Sequence, residues 1–283
     1  MARLVIWFCR RLSFNKSLKF GRWLGRKAWI HAKSERERAK ALLAFVFDEK
    51  SDVEIESLSL EVFEHLGMAA AEIVNIKKIY DLSSYIELTP QSRKVLDEVL
   101  AKGQGVVYVS GHLGNWELMA QALAQLGYPI NTIGQKSYDS RFTKLIARFR
   151  DKGGVKTVWR GAENIAEKMD AVLIKGEIFG LLIDQDTRVP GVFVPFFGKQ
   201  AFTPTAAAIL ARKNKAPVVC GFNHRKKQGG YRIVIEEVSL CELEDFKKAV
   251  AEDTKVFTAL IEENIRAHPA EWVWMHKRYK TRP

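Results

Sequence analysis

The hydrophobic pattern changes character near residue 105. Before it, apolar residues recur at helical spacing, as in Leu58, Val62, Phe63, Leu66, Ala70 and Ile73 within 53–79. Ser34 followed by Glu37 reads as a capping box that opens a helix. Thr89-Pro90 opens another, with proline in its first turn, and Gly103 ends it. After residue 105, short apolar runs alternate with amphipathic stretches. Strands are expected at 106–110, 129–134, 155–159, 179–184, 217–222 and 231–238. Helices are expected at about 115–126, 139–151, 162–175, 203–213 and 243–267. Such alternation predicts an α/β fold, a central mixed and mostly parallel sheet flanked by helices, preceded by an N-terminal helical region. Residues 1–100 form that helical, basic region and 101–283 the α/β core, packed as one structural unit.

Charge changes the picture at the ends of the chain. The formal net charge is +12, and residues 1–40 hold twelve Lys and Arg against Glu35 and Glu37. Lys277, Arg278, Lys280 and Arg282 close the chain. Trp7, Phe8, Arg10 and Arg11 near the start, and Trp272 and Trp274 near the end, mix aromatics with cations in the way an anionic membrane surface favours. Nucleic acid is the other natural partner of such charge, and a solvated basic face is the plain reading. A sealed C-terminal turn is the equal alternative for Trp272 and Trp274. No apolar run reaches the roughly 18 residues of a spanning helix, and Leu4–Cys9 lacks a cleavage site, so peripheral attachment is expected. Cys9, Cys220 and Cys241 have no paired spacing, which excludes a disulfide framework or zinc site of the usual kind.

Candidate chemistry sits where expected strands end. His112-Leu-Gly-Asn-Trp-Glu117 follows the run Val106–Val109 and precedes a helix. Open α/β sheets commonly place their chemistry there. A carboxylate that orients an imidazole lets it take a proton from a hydroxyl, and Glu117 is the expected partner of His112. Gly114 and Asn115 lie inside the motif, and Gly111 and Gly114 permit close approach by a ligand. A structural histidine is the rival reading. Asp184-Gln185-Asp186 follows another apolar run. Two carboxylates there suggest metal, but the further oxygen ligands of a Mg²⁺ site are missing. The apolar segment Val192–Phe197, expected as a loop and including Phe196 and Phe197, suits either an acyl chain or core packing. Thr203 is expected to cap the next helix, with Pro204 behind it. Arg148, Arg150 and Arg160 lie between these segments and could meet an anion, with surface exposure the plain reading of each. No P-loop, G-x-G-x-x-G, G-x-S-x-G or H-E-x-x-H occurs.

Taken in order, His112-Leu-Gly-Asn-Trp-Glu117, Asp184-Gln-Asp186, Val194-Pro-Phe-Phe-Gly198 with Ala201 and Thr203, and Trp274-Met-His-Lys-Arg278 resemble the late acyltransferases of lipid A biosynthesis. These are the lauroyl/myristoyl transferases of the HtrB/MsbB type, within the wider glycerolipid and lysophospholipid acyltransferases that carry H-x4-D/E. The resemblance implies a glycerolipid-acyltransferase-like fold and O-acyl transfer without a cofactor or metal. It implies a donor, acyl carrier protein or acyl-CoA, and an acceptor, a lipid A precursor or another glycolipid or lysolipid. It places the reaction at the cytoplasmic face of the bacterial inner membrane. His112 and Glu117 would then be catalytic. Arg150, Arg160 or Gly114 would meet the oxyanion. Asn115, Asp184, Gln185, Asp186, Phe196 and Phe197 would contact substrate. The family's tyrosine-arginine-proline element is replaced by Thr132-Ile-Gly-Gln-Lys136, with Lys136 as a substitute cation. The rivals are a glycerophospholipid acyltransferase and a non-catalytic basic protein that binds lipid or nucleic acid.

Overall fold

A computed structural model describes residues 2–79, 82–135 and 140–283. Lys136, offered above as a substitute cation, lies outside the described residues. The chain begins with four helices, α1 (Ala2–Arg11), α2 (Phe14–His31), α3 (Lys33–Val46) and α4 (Asp52–Val74). The short α5 (Leu82–Tyr85), β1 (Ile86–Leu88) and α6 (Pro90–Ala101) follow. Alternation then runs β2 (Val106–Ser110), α7 (Trp116–Gln125), β3 (Ile130–Gly134), α8 (Ser140–Lys152), β4 (Lys156–Trp159), α9 (Ile165–Ile174) and β5 (Ile178–Leu182). A hairpin, β6 (Gly191–Phe196) and β7 (Lys199–Pro204), leads to α10 (Ala206–Asn214), β8 (Val218–Arg225), β9 (Tyr231–Val238) and α11 (Phe246–Ala267).

Seven strands form one sheet in the order β1-β9-β8-β2-β5-β3-β4. All pairings are parallel except β8 with β9, so the sheet is mixed and mostly parallel as the alternation predicts. Side chains of a strand point alternately to its two faces. Val107 and Val109 of β2 face α9, α10, α11 and the N-terminal helices, in a core shared with Leu43 and Val62. Val106 and Tyr108 face the opposite core with Leu96 of α6 and Leu118 of α7. With both faces covered, β2 is buried at every position and reads in sequence as an uninterrupted apolar run.

The N-terminal helices are fixed by close backbone contact. A Cβ on Gly25 of α2 would lie 2.2 Å from the Phe63 carbonyl oxygen of α4, and one on Gly67 would lie 2.1 Å from that of Gly21. Only glycine permits the two helices to meet at this distance.

Three local expectations change. Ser34 lies inside α3, which starts at Lys33 without a side-chain cap, and the capping box belongs instead to Ser51 and Glu54 at the start of α4. Thr203 is a buried residue of β7, and α10 starts three residues later behind Thr205. The segment Val192–Phe197 is not a loop. It enters a hairpin whose two turn residues, Phe197 (φ 50°) and Gly198 (φ 75°), both have the positive φ that tight hairpin turns require.

Candidate active site

Parallel register brings the central pair together. Ser110 of β2 is level with Leu182 of β5. His112 and Asp184 each stand two residues beyond these positions, so they leave adjacent strand ends side by side. His112 Nδ1 is 2.7 Å from Asp184 Oδ1, and the His112 amide donates to Asp184 Oδ2 at 2.8 Å. The Trp272 indole N–H donates to the same Oδ2 at 2.7 Å. The carboxylate on the imidazole is therefore Asp184, not Glu117 as the H-x4-E spacing suggested.

Asp184 is 1% exposed. Burial alone would raise its pKa, but the His112 ring and amide and the Trp272 indole outweigh burial and hold it at about 2. An ionised carboxylate only accepts hydrogen bonds, so Nδ1 carries the proton in the neutral ring. Nε2 is left with its lone pair. The edge of Trp116 packs against the ring, with centroids 5.0 Å apart, and limits its rotation.

The loop that carries His112 is anchored from behind. A Cβ on Gly114 (φ 63°) would lie 2.0 Å from the Asn223 carbonyl oxygen, so this position demands glycine both for its φ and for space. The Gly114 amide donates to the Glu271 carbonyl at 3.0 Å, and its own carbonyl accepts from His65 Nε2 at 3.0 Å. Burial, then the charge of Arg225, lowers the pKa of His65 to about 4 and keeps it a neutral donor. Asn115 exchanges two hydrogen bonds with Asn223 and donates from Nδ2 to Glu72 at 3.0 Å. Burial would raise the pKa of Glu72, but Arg225, with Tyr85 and Asn115, outweighs it and leaves it lowered. Arg225 spans both Glu72 oxygens at 2.7 and 3.0 Å. None of His65, Glu72, Asn223, Arg225 or Glu271 stood out in the sequence, because each reaches the loop from a distant element and shares no motif with it.

Glu117 opens α7 and turns to α8. Arg150 grips it with Nε at 2.9 Å and Nη2 at 2.5 Å, and both side chains are mostly buried. Arg150 Nη1 is buried and has no partner among the described residues. His112, Trp116, Glu117, Arg150, Arg160 and Gln185 line one cleft of about 270 Å³ whose deeper wall is apolar, with Met119, Leu123, Ile130 and Leu181. The cleft thus combines a histidine whose Nε2 has no partner among the described residues, a guanidinium in its wall and apolar side chains. It can accept a chain bearing a polar reacting centre.

Other expected contacts are corrected. Gly114 cannot offer its amide to an oxyanion, because Glu271 already receives it. Asn115 is 2% exposed and caps α7 through Leu118 rather than facing substrate. Asp186 accepts from the amide and hydroxyl of Thr281 at 2.7 and 2.9 Å and tethers the C-terminal segment. Phe196 and Phe197 are buried against Trp272 and Trp274, so their packing reading holds. Trp272 and Trp274 are themselves buried and form no membrane-facing belt. Arg278 is buried too and donates to the Phe202 carbonyl and the Thr203 hydroxyl. By contrast, Trp7 and Phe8 are 55% and 45% exposed beside exposed Arg10 and Arg11. Among the described residues, no helix is long and apolar enough to cross a membrane.

Glu271 gives the support a pH signature. Burial pushes its carboxyl up to about 7, against the opposing pull of the Arg225 amide and charge. A raised carboxyl binds its proton more readily folded than unfolded, so its contribution is complete below the unfolded value and fades as pH rises to about 7. Glu271→Gln should therefore gain stability relative to wild type between pH 5 and 8, by up to about 3 kcal/mol. Thermal melts of the two proteins across that range measure it. Parallel curves would contradict the assignment.

The fold is thus an open, mostly parallel sheet with a histidine–carboxylate pair at its central strand ends, facing a cleft with apolar side chains. Residues 2–281 match the family of bacterial lipid A biosynthesis acyltransferases, and the chain belongs to that family. It is an acyltransferase. It is 27% identical to a lipid A biosynthesis lauroyltransferase of Escherichia coli (strain K12), over 99% of this chain and 90% of that protein. It is 25% identical, with the same coverage, to a lipid A biosynthesis palmitoleoyltransferase of the same strain. A phosphatidylinositol mannoside acyltransferase of Mycobacterium tuberculosis (strain ATCC 25618 / H37Rv) is 28% identical over 62% of this chain and 55% of its own length.

Proposed function

We propose that the protein transfers a fatty acyl chain from acyl carrier protein to a hydroxyl of a lipid A precursor. It would work at the cytoplasmic face of the inner membrane, held peripherally by α1 and α2. The observation that carries the chemistry is the His112–Asp184 pair beside the cleft, with Nε2 unpaired among the described residues. The family membership carries the substrate class.

His112 Nε2 takes the proton of the acceptor hydroxyl, and Asp184 stabilises the imidazolium that forms. The acceptor oxygen attacks the thioester carbonyl carbon. The guanidinium of Arg150, or that of Arg160, receives the negative charge on the carbonyl oxygen, a contribution of about 3–4 kcal/mol in sites of this kind. The tetrahedral intermediate collapses, the C–S bond breaks, and the imidazolium returns its proton to the leaving thiolate. Glu117 acts through Arg150 by fixing the guanidinium. The apolar side chains of the cleft receive the acyl chain, and Gln185 lines the same cleft. The thioester is already activated, so the step needs no metal or cofactor. The exposed basic N-terminal surface suits both an acidic carrier protein and an anionic bilayer.

Mass spectrometry of lipid products tests the reading. Purified protein would be given acyl carrier protein or coenzyme A thioesters with a lipid A precursor, a lysophospholipid or a phosphatidylinositol mannoside. The expected product is acylated lipid A precursor from the carrier-protein donor. Acylation of the lysophospholipid alone would replace this reading with the glycerophospholipid one.

A further inference from the structure

A second cavity, of about 710 Å³, opens on the other side of α7 and α8 from the His112 cleft. Helix α7 turns Trp116, Glu117 and Met119 to the cleft, whereas Gln121 and Gln125 line this cavity. Arg10, Lys77, Arg148 and Lys152 surround it, all exposed. Among the described residues none of these four pairs with a carboxylate, and no described acidic residue lines the cavity. Its apolar lining includes Ile73, Ile79 and Phe149.

Two buried polar atoms of its lining residues have no partner among the described residues. Gln121 is 2% exposed, and its Nε2 donates to no described residue. Asn75 is 2% exposed. It donates from Nδ2 to the Ala71 carbonyl and the Cys9 sulfur, but its Oδ1 accepts from no described residue. Leaving a buried amide atom unpaired is costly, so natural proteins rarely keep one without a use. The pair asks for a ligand that accepts one hydrogen bond and donates another, and the four cations ask for an anion.

We propose that this cavity binds the phosphoglycerol headgroup of an anionic membrane lipid, as a site separate from the acyl-transfer cleft. The phosphate meets the cations and the Gln121 N–H, and a glycerol hydroxyl donates to Asn75 Oδ1. A lipid is favoured over a soluble anion because Arg10 belongs to α1, whose Leu4, Trp7 and Phe8 are exposed. The same helix thus offers apolar side chains to acyl chains and a cation to the headgroup. The site would fix where the protein sits on the bilayer, not which bond it makes.

The test uses the full chain and vesicles of phosphatidylcholine with or without phosphatidylglycerol. Lys77→Gln with Lys152→Gln should weaken binding to phosphatidylglycerol vesicles about tenfold or more. Lys247→Gln with Lys248→Gln removes the same charge from α11 and should change it far less. Gln121→Leu keeps net charge and should weaken binding about 3- to 10-fold. A melting curve on each variant checks the fold, and the surface lysine pair keeps the test intact if Gln121→Leu does not fold. Equal losses from both lysine pairs would reduce the effect to overall charge and overturn the site. Unchanged vesicle binding in the Lys77/Lys152 variant would overturn it too. Full competition by inorganic phosphate at low concentration would make free phosphate the ligand and overturn the lipid assignment. Acyl transfer to detergent-dispersed acceptor should stay within about twofold in all variants, so absent transfer by the wild type would refute the proposed function without touching this site.

Discussion

Asp184→Asn is expected to lower kcat by about 10³- to 10⁴-fold, the scale on which the triad aspartate acts in serine proteases. Three N–H groups converge on the two Asp184 oxygens. An amide offers one oxygen and turns an NH₂ toward one of these donors. If that NH₂ faces His112, the ring must take its proton on Nε2, and the lone pair that attacks the hydroxyl proton is gone. If it faces Trp272 or the His112 amide, the loop loses its anchor. Steady-state kinetics with a melting curve separate these outcomes. A folded variant with near-normal kcat would show that Asp184 only shapes the loop.

Breaking the Glu117–Arg150 pair is the second large effect. Both side chains are mostly buried, so removing one leaves the other charged and unpaired. That typically costs about 3–5 kcal/mol in stability. Glu117→Ala is further expected to lose roughly 10²-fold or more in kcat, because the Arg150 guanidinium in the cleft wall loses the two hydrogen bonds that fix it. Arg150→Ala should cost a similar factor, and the double variant little more than either alone, since the two act as one unit. Two independent losses that multiply would contradict the clamp. Unchanged kcat in Glu117→Ala would reduce Glu117 to a favourable charge at the first turn of α7.

The sheet was legible because its strands are short apolar runs punctuated by glycine and proline. Six of them match the observed strands within a few residues. The omitted ones, β1, β6 and β7, have only three residues or lie in a hairpin rich in aromatics and set apart from the main sheet. His112 was legible from its place at a strand end. Its partner was not, because spacing along the chain favours Glu117, whereas the bond depends on β2 lying beside β5. Strand order is set by packing across the whole sheet and leaves no mark near residue 112. The tryptophans misled for a related reason. Trp272 and Trp274 alternate like an interfacial belt, yet they fill the space between Phe197 and Asp184. Arg278 likewise looks like surface charge, but a buried guanidinium with backbone and hydroxyl acceptors serves as a structural clasp.

In the proposed mechanism His112 Nε2 removes the proton of the acceptor hydroxyl. His112→Ala, assayed in single turnovers with an acyl carrier protein thioester and a lipid acceptor, tests it most directly. The variant is expected to fold, to bind donor and acceptor normally and to transfer acyl groups about 10²- to 10⁴-fold more slowly. Transfer near the wild-type rate in that folded variant would contradict it.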